Sequence, residues 1–187
     1  MFVLGVYGSR HGQALAVLRR VFETLRARGH DTVIVRGDDV PSSAMEEAQA
    51  AVVAASVWMG RHPGYVRDFA ALYASRLSGM PSAFISISGV QPESSPGWRE
   101  QARAYVRSFL DEAGWVPDRV AAFAGALRYT RYGPFTRWLA RRMSRRAGGP
   151  TDTSRDWELT DWEAVDRFAE ELAAELRSRE ERRPAAV

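Results

Sequence analysis

The residues with the clearest chemical meaning form a short polar loop near the start of the chain. The loop separates an apolar run over 2–7 from a stretch of helical spacing that begins at Ala14, and it consists of Gly8, Ser9, Arg10, His11, Gly12 and Gln13. Its backbone amides are expected to lie at a helix N-terminus, where unpaired N–H groups and the helix dipole favour an anion. A phosphate is the natural occupant, and an ordinary turn between a strand and a helix is the alternative.

Three further polar loops follow strand-like runs and offer hydroxyl, amide and ring groups to a ligand. They are Ser56–His62, Ser86–Val90 and Gly125–Tyr129. The loop histidines His11 and His62 are expected to hydrogen-bond or to face solvent, with proton transfer as the alternative. Because the chain has no cysteine, a thiolate nucleophile, a disulfide and a Cys-ligated metal are excluded, and three scattered histidines predict no metal site.

The positive charge of the chain is concentrated in one segment. The formal net charge is +3, yet seven arginines and no acid lie between Arg128 and Arg146, so the rest of the chain is net negative. This asymmetry favours a patch that faces a membrane or a polyanion over a protein that coats nucleic acid. No apolar run approaches the roughly 20 residues of a membrane span, and the N-terminus lacks a basic leader, so a cytoplasmic protein is expected.

The elements that must position these loops alternate between strands and helices. Strands are predicted over 2–7, 31–35, 50–57, 81–88 and 116–124, and helices after 14, over 65–77 and over 97–113. Such alternation predicts an α/β domain with a parallel sheet covered on both faces, and the strand order 2-1-3-4-5 is one of two common solutions. All four polar loops then lie at the carboxyl edge of the sheet, where ligands bind in such folds.

The end of the chain is predicted to be a helix followed by a frayed tail. Thr160 is the expected N-cap, Glu163 completes a capping box, and the helix runs to about Arg177. We therefore expect one domain over 1–178 and a frayed tail over 179–187.

One segment, 127–153, is too long for an ordinary connection between a strand and a helix. Its core over 135–147 has helical spacing, with Phe135, Trp138, Leu139 and Met143 on one face, and Gly148-Gly149-Pro150 is expected to end that helix. A basic amphipathic helix with aromatic residues suits peripheral contact with an anionic membrane over Arg131–Ala147. The alternative is a helix that packs these apolar residues on its own domain.

Several motifs, in this order and spacing, resemble the flavodoxin-like, quinone-dependent protoporphyrinogen IX dehydrogenases of bacterial haem synthesis. The resemblance covers nearly the whole chain. The most specific motifs are Gly-Ala-Leu-Arg-Tyr over 125–129, Gly-Gly-x-Thr-Asp-Thr over 148–153 and Thr-Asp-Trp-Glu over 160–163. Weaker ones are Ser-Arg-His-Gly-Gln over 9–13, Ala-Ser-Val over 55–57 with Gly-Arg-His over 60–62, Met-Pro-Ser-Ala-Phe over 80–84 and Pro-Asp-Arg over 117–119.

The resemblance implies an oxidoreductase that uses FMN and passes electrons from protoporphyrinogen IX to a quinone, typically menaquinone. FMN would then contact the four loops through Ser9, Arg10, His11, Gly12, Gln13, Ala14, Ser56, Val57, Trp58, Met59, Gly60, Ser86, Ile87, Ser88, Gly89, Gly125, Ala126, Leu127 and Arg128. Within that set Trp58 would flank the flavin ring. Arg61, Arg128 and Arg131 would meet the propionates of the substrate, because guanidinium groups match carboxylates.

The chain departs from the family pattern at Ala14, where relatives usually have Thr or Ser that would contact the flavin phosphate. The loop at Val57-Trp58-Met59 also differs from a more basic, tyrosine-bearing version. Two other functions stay open: a flavodoxin-type electron carrier, against which the arginine-rich segment argues, and a flavin-free binding protein on the same fold.

Overall fold

The computed structural model describes residues 1–89, 96–146 and 148–182. Five strands form one parallel sheet in the order β2-β1-β3-β4-β5, as predicted. Their bounds are β1 Phe2–Gly8, β2 Asp31–Arg36, β3 Ala50–Ser56, β4 Ser82–Ile87 and β5 Arg119–Phe123.

Helices cover both faces of this sheet. Their bounds are α1 Gln13–Ala27, α2 Ser42–Glu47, α3 Gly64–Leu72, α4 Ala74–Ser78, α5 Pro96–Ala113, α6 Pro134–Arg146 and α7 Trp162–Glu181. Successive strand residues point to opposite faces, so Val3 and Val52 pack with α1 and α7, whereas Leu4 and Val53 pack with α3 and α5. Each such side chain, removed completely from water, contributes roughly 1.5–3 kcal/mol to folding.

Two helices differ from the sequence prediction. Residues 65–77 do not form one helix, because the backbone of Tyr73 leaves helical geometry and separates α3 from α4. The short helix α2 follows Pro41, in a part of the chain where the sequence predicted no helix. It buries a single side chain, Met45, so its sequence lacks the apolar stripe from which a helix can be predicted.

The start and end of α7 also correct the prediction. The N-cap is Asp161, whose carboxylate accepts a hydrogen bond from the Ala164 amide at 2.9 Å, whereas the Thr160 side chain is buried and donates to the Ala124 carbonyl. Glu163 is exposed and forms no capping box. The helix extends to Glu181, and Arg179 within it pairs with Asp118, so the predicted frayed tail does not begin at 179; residues 183–187 lie outside the described part.

The predicted long segment is a folded insertion that runs from β6, Ala126–Leu127, to β7, Trp157–Glu158. The two short strands pair antiparallel and hold both ends of the insertion together. A 3₁₀ helix, Tyr129–Arg131, and α6 lie between them, and α6 ends before Gly148 as predicted, although Ala147 is not among the described residues.

Hydrogen bonds inside the insertion fix α6 to the rest of it. The Arg137 guanidinium donates to the carbonyls of Tyr129 at 3.0 Å and Tyr132 at 3.1 Å. The hydroxyls of Tyr129 and Ser144 both donate to the Pro150 carbonyl, at 2.9 and 2.6 Å. Arg137 is therefore a structural residue and not part of a free positive surface.

Candidate functional site

A cavity of about 370 Å³ lies at the carboxyl edge of the sheet, where the sequence placed the ligand loops. Its volume is within the usual range for cofactor pockets. It brings together fifteen of the predicted cofactor residues: Ser9, Arg10, His11, Gln13, Ser56, Val57, Trp58, Met59, Gly60, Ile87, Ser88, Gly89, Gly125, Ala126 and Leu127.

The first wall is the loop before α1. Gly12 has φ +86°, a left-handed conformation that glycine adopts without strain, and it starts the helix. No described residue accepts a hydrogen bond from the backbone amides of 10–13, and the next amide, of Ala14, donates to the hydroxyls of Ser9 and Ser56. A row of unpaired amides at a helix start favours an anion such as a phosphate.

The second wall is a tight hairpin at 58–61. Trp58 and Arg61 exchange two backbone hydrogen bonds, of 2.8 and 3.1 Å, around Met59 and Gly60, which have φ of 51° and 82°. Two central residues with positive φ are typical of a type I′ turn. The hairpin presents the Trp58 ring to the cavity, with the Arg10 guanidinium 5.0 Å from its centroid.

The His11 ring packs between the first two walls and the insertion. Its centroid is 5.1 Å from that of Trp58 and 5.0 Å from that of Tyr132. Burial, followed by the charges of Arg10 and Arg131, lowers the pKa of His11, so the ring is neutral at pH 7. Its Nε2 is buried and has no hydrogen-bond partner among the described residues.

His62, the second loop histidine, lies beneath the cavity and not in its wall. Its Nε2 is 2.9 Å from the Ser86 hydroxyl, and its ring packs on Phe84 and Phe109. Burial lowers the pKa of His62 to about 4, and the charge of Glu112 opposes this effect only in part. His62 thus joins the end of the hairpin loop to β4 as an uncharged, hydrogen-bonded group.

The third wall comes from the ends of β4 and β5, at Ser88, Gly89 and Gly125. Gly89 has φ +92°, and a Cβ there would collide with the indole of Trp98, which donates to the Ser88 carbonyl at 2.8 Å. Backbone therefore forms this wall, and a flat ligand can approach it closely. Val90, the last residue of the predicted loop, lies outside the described residues.

The fourth wall is the insertion, of which the sequence assigned only residues 126–128 and Arg131 to ligand binding. The insertion residues that line the cavity and that sequence missed are Tyr132, Phe135, Thr136, Leu139, Ala140 and Met143, and α5 adds Gln101 and Tyr105. Phe135, Leu139 and Met143 recur every four residues on α6, and this apolar stripe is the feature of the sequence from which a contact with the cavity could have been predicted. Trp138 does not line the cavity: its ring stacks on that of Phe135, with centroids 6.2 Å apart, and lines a separate depression.

Four predicted cofactor residues do not line the cavity. Gly12 is exposed at the start of α1, and the Ala14 side chain is fully buried in the core, so a hydroxyl at position 14 would meet the core before a ligand. Ser86 is buried against His62. Arg128 donates to Glu158 at 3.0 Å and to the side-chain oxygen Oε1 of Gln13 at 3.1 Å.

The three arginines predicted to meet the substrate have different positions. Arg61 lines a separate, small cavity with His62 and Glu112, and Arg128 is engaged as described, so neither faces the main cavity. Arg131 is exposed, has no ion pair within the described ranges, and is close enough to His11 to affect its pKa. Of these three arginines, only Arg131 therefore remains a candidate for contact with the substrate.

The outer surface of α6 carries the positive charge of the insertion. A shallow depression there is lined by Trp138, Arg141, Arg142, Arg145 and Arg146, with the Arg142 guanidinium 5.6 Å from the Trp138 ring centroid. These four arginines make no ion pair with any described residue, whereas Arg20, Arg28 and Arg119 elsewhere are paired with acids. Among the described residues, no helix combines the length and apolar content needed to cross a membrane.

Comparisons with known proteins agree with this geometry. A family model described as a flavodoxin domain matches residues 4–154. The Streptococcus pneumoniae flavodoxin has a TM-score of 0.57 at 19% identity and covers 94% of this chain and 99% of its own. A short-chain flavodoxin associated with a non-canonical PDU bacterial microcompartment has a TM-score of 0.59 at 17% identity, covering 94% of this chain and 98% of its own. These structures share the fold.

The relatives found by sequence identify the family more narrowly than the solved structures do. An Escherichia coli K12 protein named protoporphyrinogen IX dehydrogenase [quinone] is 33% identical over 175 residues, which are 92% of this chain and 95% of that protein. A Leishmania major protein of the same name is 32% identical over 161 residues, covering 83% of this chain and 69% of that protein. The chain therefore belongs to the flavodoxin-like family of oxidoreductases that includes the quinone-dependent protoporphyrinogen IX dehydrogenases.

Proposed function

We propose that the protein oxidises protoporphyrinogen IX to protoporphyrin IX in haem synthesis, with FMN as cofactor and a menaquinone-type quinone as acceptor. The observation that carries the proposal is a single cavity with two unlike walls. One wall is a loop of unpaired amides suited to a phosphate, and the other is the apolar stripe of α6. A family name shared by the relatives gives the substrate and the acceptor.

The residues of the cavity fit FMN. The amides over 10–13 and the Arg10 guanidinium would hold the phosphate, because charge-assisted hydrogen bonds to an anion are strong. Trp58 would flank the flavin ring, and the backbone at Gly89 and Gly125 would meet its edge. FMN, when bound, supplies the redox chemistry, and the protein orients it and excludes water.

The substrate side of the cavity suits a flat, apolar molecule with carboxylates. Phe135, Leu139 and Met143 offer apolar surface, and so does Met59, which is 62% exposed. Arg131 is exposed and positive and has no ion pair among the described residues, so it is available for a propionate. No acid lines the described part of the cavity, which disfavours an acidic electron carrier and favours an anionic substrate.

We further propose that α6 brings the cavity to the inner face of the cell membrane. A lipid-borne quinone is reached only there, and α6 presents apolar residues to the cavity and four unpaired arginines to the outside. Each arginine near an anionic surface contributes about 1 kcal/mol, screened beyond about 10 Å in ordinary salt. Exposed Phe135 and Trp138 add shallow apolar contact, so binding should be peripheral, reversible and salt-sensitive.

The proposal is tested by supplying the purified protein with FMN, protoporphyrinogen IX and a soluble menaquinone analogue without oxygen. We expect FMN-dependent appearance of protoporphyrin fluorescence and reduction of three quinones for each protoporphyrin formed, because the oxidation removes six electrons and each quinone accepts two. Riboflavin in place of FMN tests the phosphate site and should support much less turnover. FMN binding without turnover would favour the electron carrier, and absence of FMN binding would favour the flavin-free binding protein.

A further inference from the structure

The insertion is joined to the domain by a narrow neck. β6 and β7 pair side by side there, so the chain leaves and returns at neighbouring positions. Arg128, just after β6, and Glu158, in β7, form an ion pair of 3.0 Å across the neck. Both side chains are about one-third exposed or less, which makes their geometry better defined than that of a surface pair.

The side chain of Gln13 occupies the centre of this neck. Its Nε2 donates to Glu158 Oε1 and to Thr160 Oγ1, both at 2.9 Å, and its Oε1 accepts from Arg128 at 3.1 Å. The Thr160 hydroxyl donates in turn to the Ala124 carbonyl at 2.8 Å. Both N–H groups and the oxygen of the carboxamide are therefore engaged, and with Gln13 only 7% exposed, water cannot easily replace these partners.

Gln13 also belongs to the first wall of the cavity. It is the first residue of α1, and the unpaired amides that suit a phosphate end at its own N–H. The same residue thus connects the first wall, where a phosphate would bind, with the neck that carries α6, the helix of the fourth wall. The contact between the His11 and Tyr132 rings, 5.0 Å apart, is a second link between the loop and the insertion.

We propose that Gln13 is a positioning residue that couples the occupancy of the cavity to the placement of the insertion, through Glu158, Arg128 and Thr160. This inference rests on the proposed function, because it takes FMN as the occupant. A ligand that contacts both walls stabilises the arrangement in which the hydrogen bonds of Gln13 in the neck are formed. By reciprocity, formation of these bonds strengthens binding of the ligand by the same factor by which the ligand favours the bonds.

The experiment compares FMN affinity with the rate of trypsin cleavage after the arginines of α6, followed by mass spectrometry. Glu158→Gln places an amide where a carboxylate faced Arg128, and Gln13→Ala removes the central carboxamide. Asp166→Asn is the matched control, because it removes the ion pair between Asp166 in α7 and Arg20 in α1, which is not part of the neck. In the parent and the control, saturating FMN should slow cleavage of α6 about fivefold or more, within the usual range of coupling between sites.

In Glu158→Gln and Gln13→Ala, α6 should be cleaved faster without ligand, and saturating FMN should slow that cleavage less than about twofold. FMN should still bind to both variants, more weakly than to the parent. Equal protection in these variants and in the parent would overturn the role of Gln13. FMN binding to the parent without protection of α6 would overturn the coupling alone, whereas failure of FMN to bind the parent would overturn the proposed function as well.

Discussion

The buried imidazole of His62 should make the stability of the protein depend on pH. In the folded protein, burial lowers the pKa of His62 from 6.5 to about 4. The unfolded chain therefore binds a proton in the interval where the folded protein does not. The free energy of unfolding is therefore at its full value above about pH 6.5, and part of it is lost as the pH falls toward 4.

The size of this effect follows from the two pKa values. Between pH 7 and pH 5, a group with a pKa of 6.5 unfolded and about 4 folded removes about 2 kcal/mol from the free energy of unfolding. Gln in place of His62 keeps a hydrogen-bonding atom near the Ser86 hydroxyl but does not titrate. Between pH 7 and pH 5, the free energy of unfolding of His62→Gln should therefore fall by about 2 kcal/mol less than that of the parent.

Urea unfolding at pH 7 and pH 5 measures both free energies. His11 and His30 also have a pKa lowered chiefly by burial, and they contribute equally to the parent and the variant. Ser86→Ala serves as a second variant, because it removes the hydrogen-bond partner but leaves the imidazole, so it should retain the pH dependence. The same loss of stability in the parent and in His62→Gln would refute the reasoning.

Two further predictions concern arginines. Substitution of Gln for Arg141, Arg142, Arg145 and Arg146 should reduce co-sedimentation with anionic vesicles, since each charge near the surface contributes about 1 kcal/mol to binding, and should spare turnover with a soluble quinone. The control is Gln at the exposed residues Arg99, Arg103 and Arg107 of α5. Equal effects of the two sets on co-sedimentation would argue against docking through α6. Arg131→Gln should raise the KM for protoporphyrinogen IX about tenfold or more with little change in kcat, as expected when a hydrogen bond to a charged group is lost. Arg61→Gln should leave that KM unchanged because its side chain faces another cavity, and a similar KM in both variants would contradict the assignment of Arg131.

The fold could be predicted because its signals are local. The buried run of β3, Ala50–Ser56, and the polar loops after the strands are visible in sequence, and parallel strands bring those loops to one edge. The break at Tyr73 and the short helix α2 were missed because no glycine or proline marks the former and a single buried residue, Met45, supports the latter. Such features depend on tertiary packing, which overrides local pattern.

The part of the site that sequence could not predict depends on contacts between distant segments. The stripe of Phe135, Leu139 and Met143 is visible as an amphipathic face, but the sequence does not state which surface it covers.

Charge is the clearest case of this limit, because a guanidinium is free or engaged according to partners that folding alone provides. Arg128 counts as a positive surface charge in sequence, yet Glu158 neutralises it across the neck, and Arg137 is engaged with backbone carbonyls. What remains divides into two surfaces: Arg131, near the cavity, and four arginines on the outside of α6. A single basic segment thus supplies one charge suited to substrate carboxylates and four suited to a membrane, and the two arginine predictions above test these roles separately.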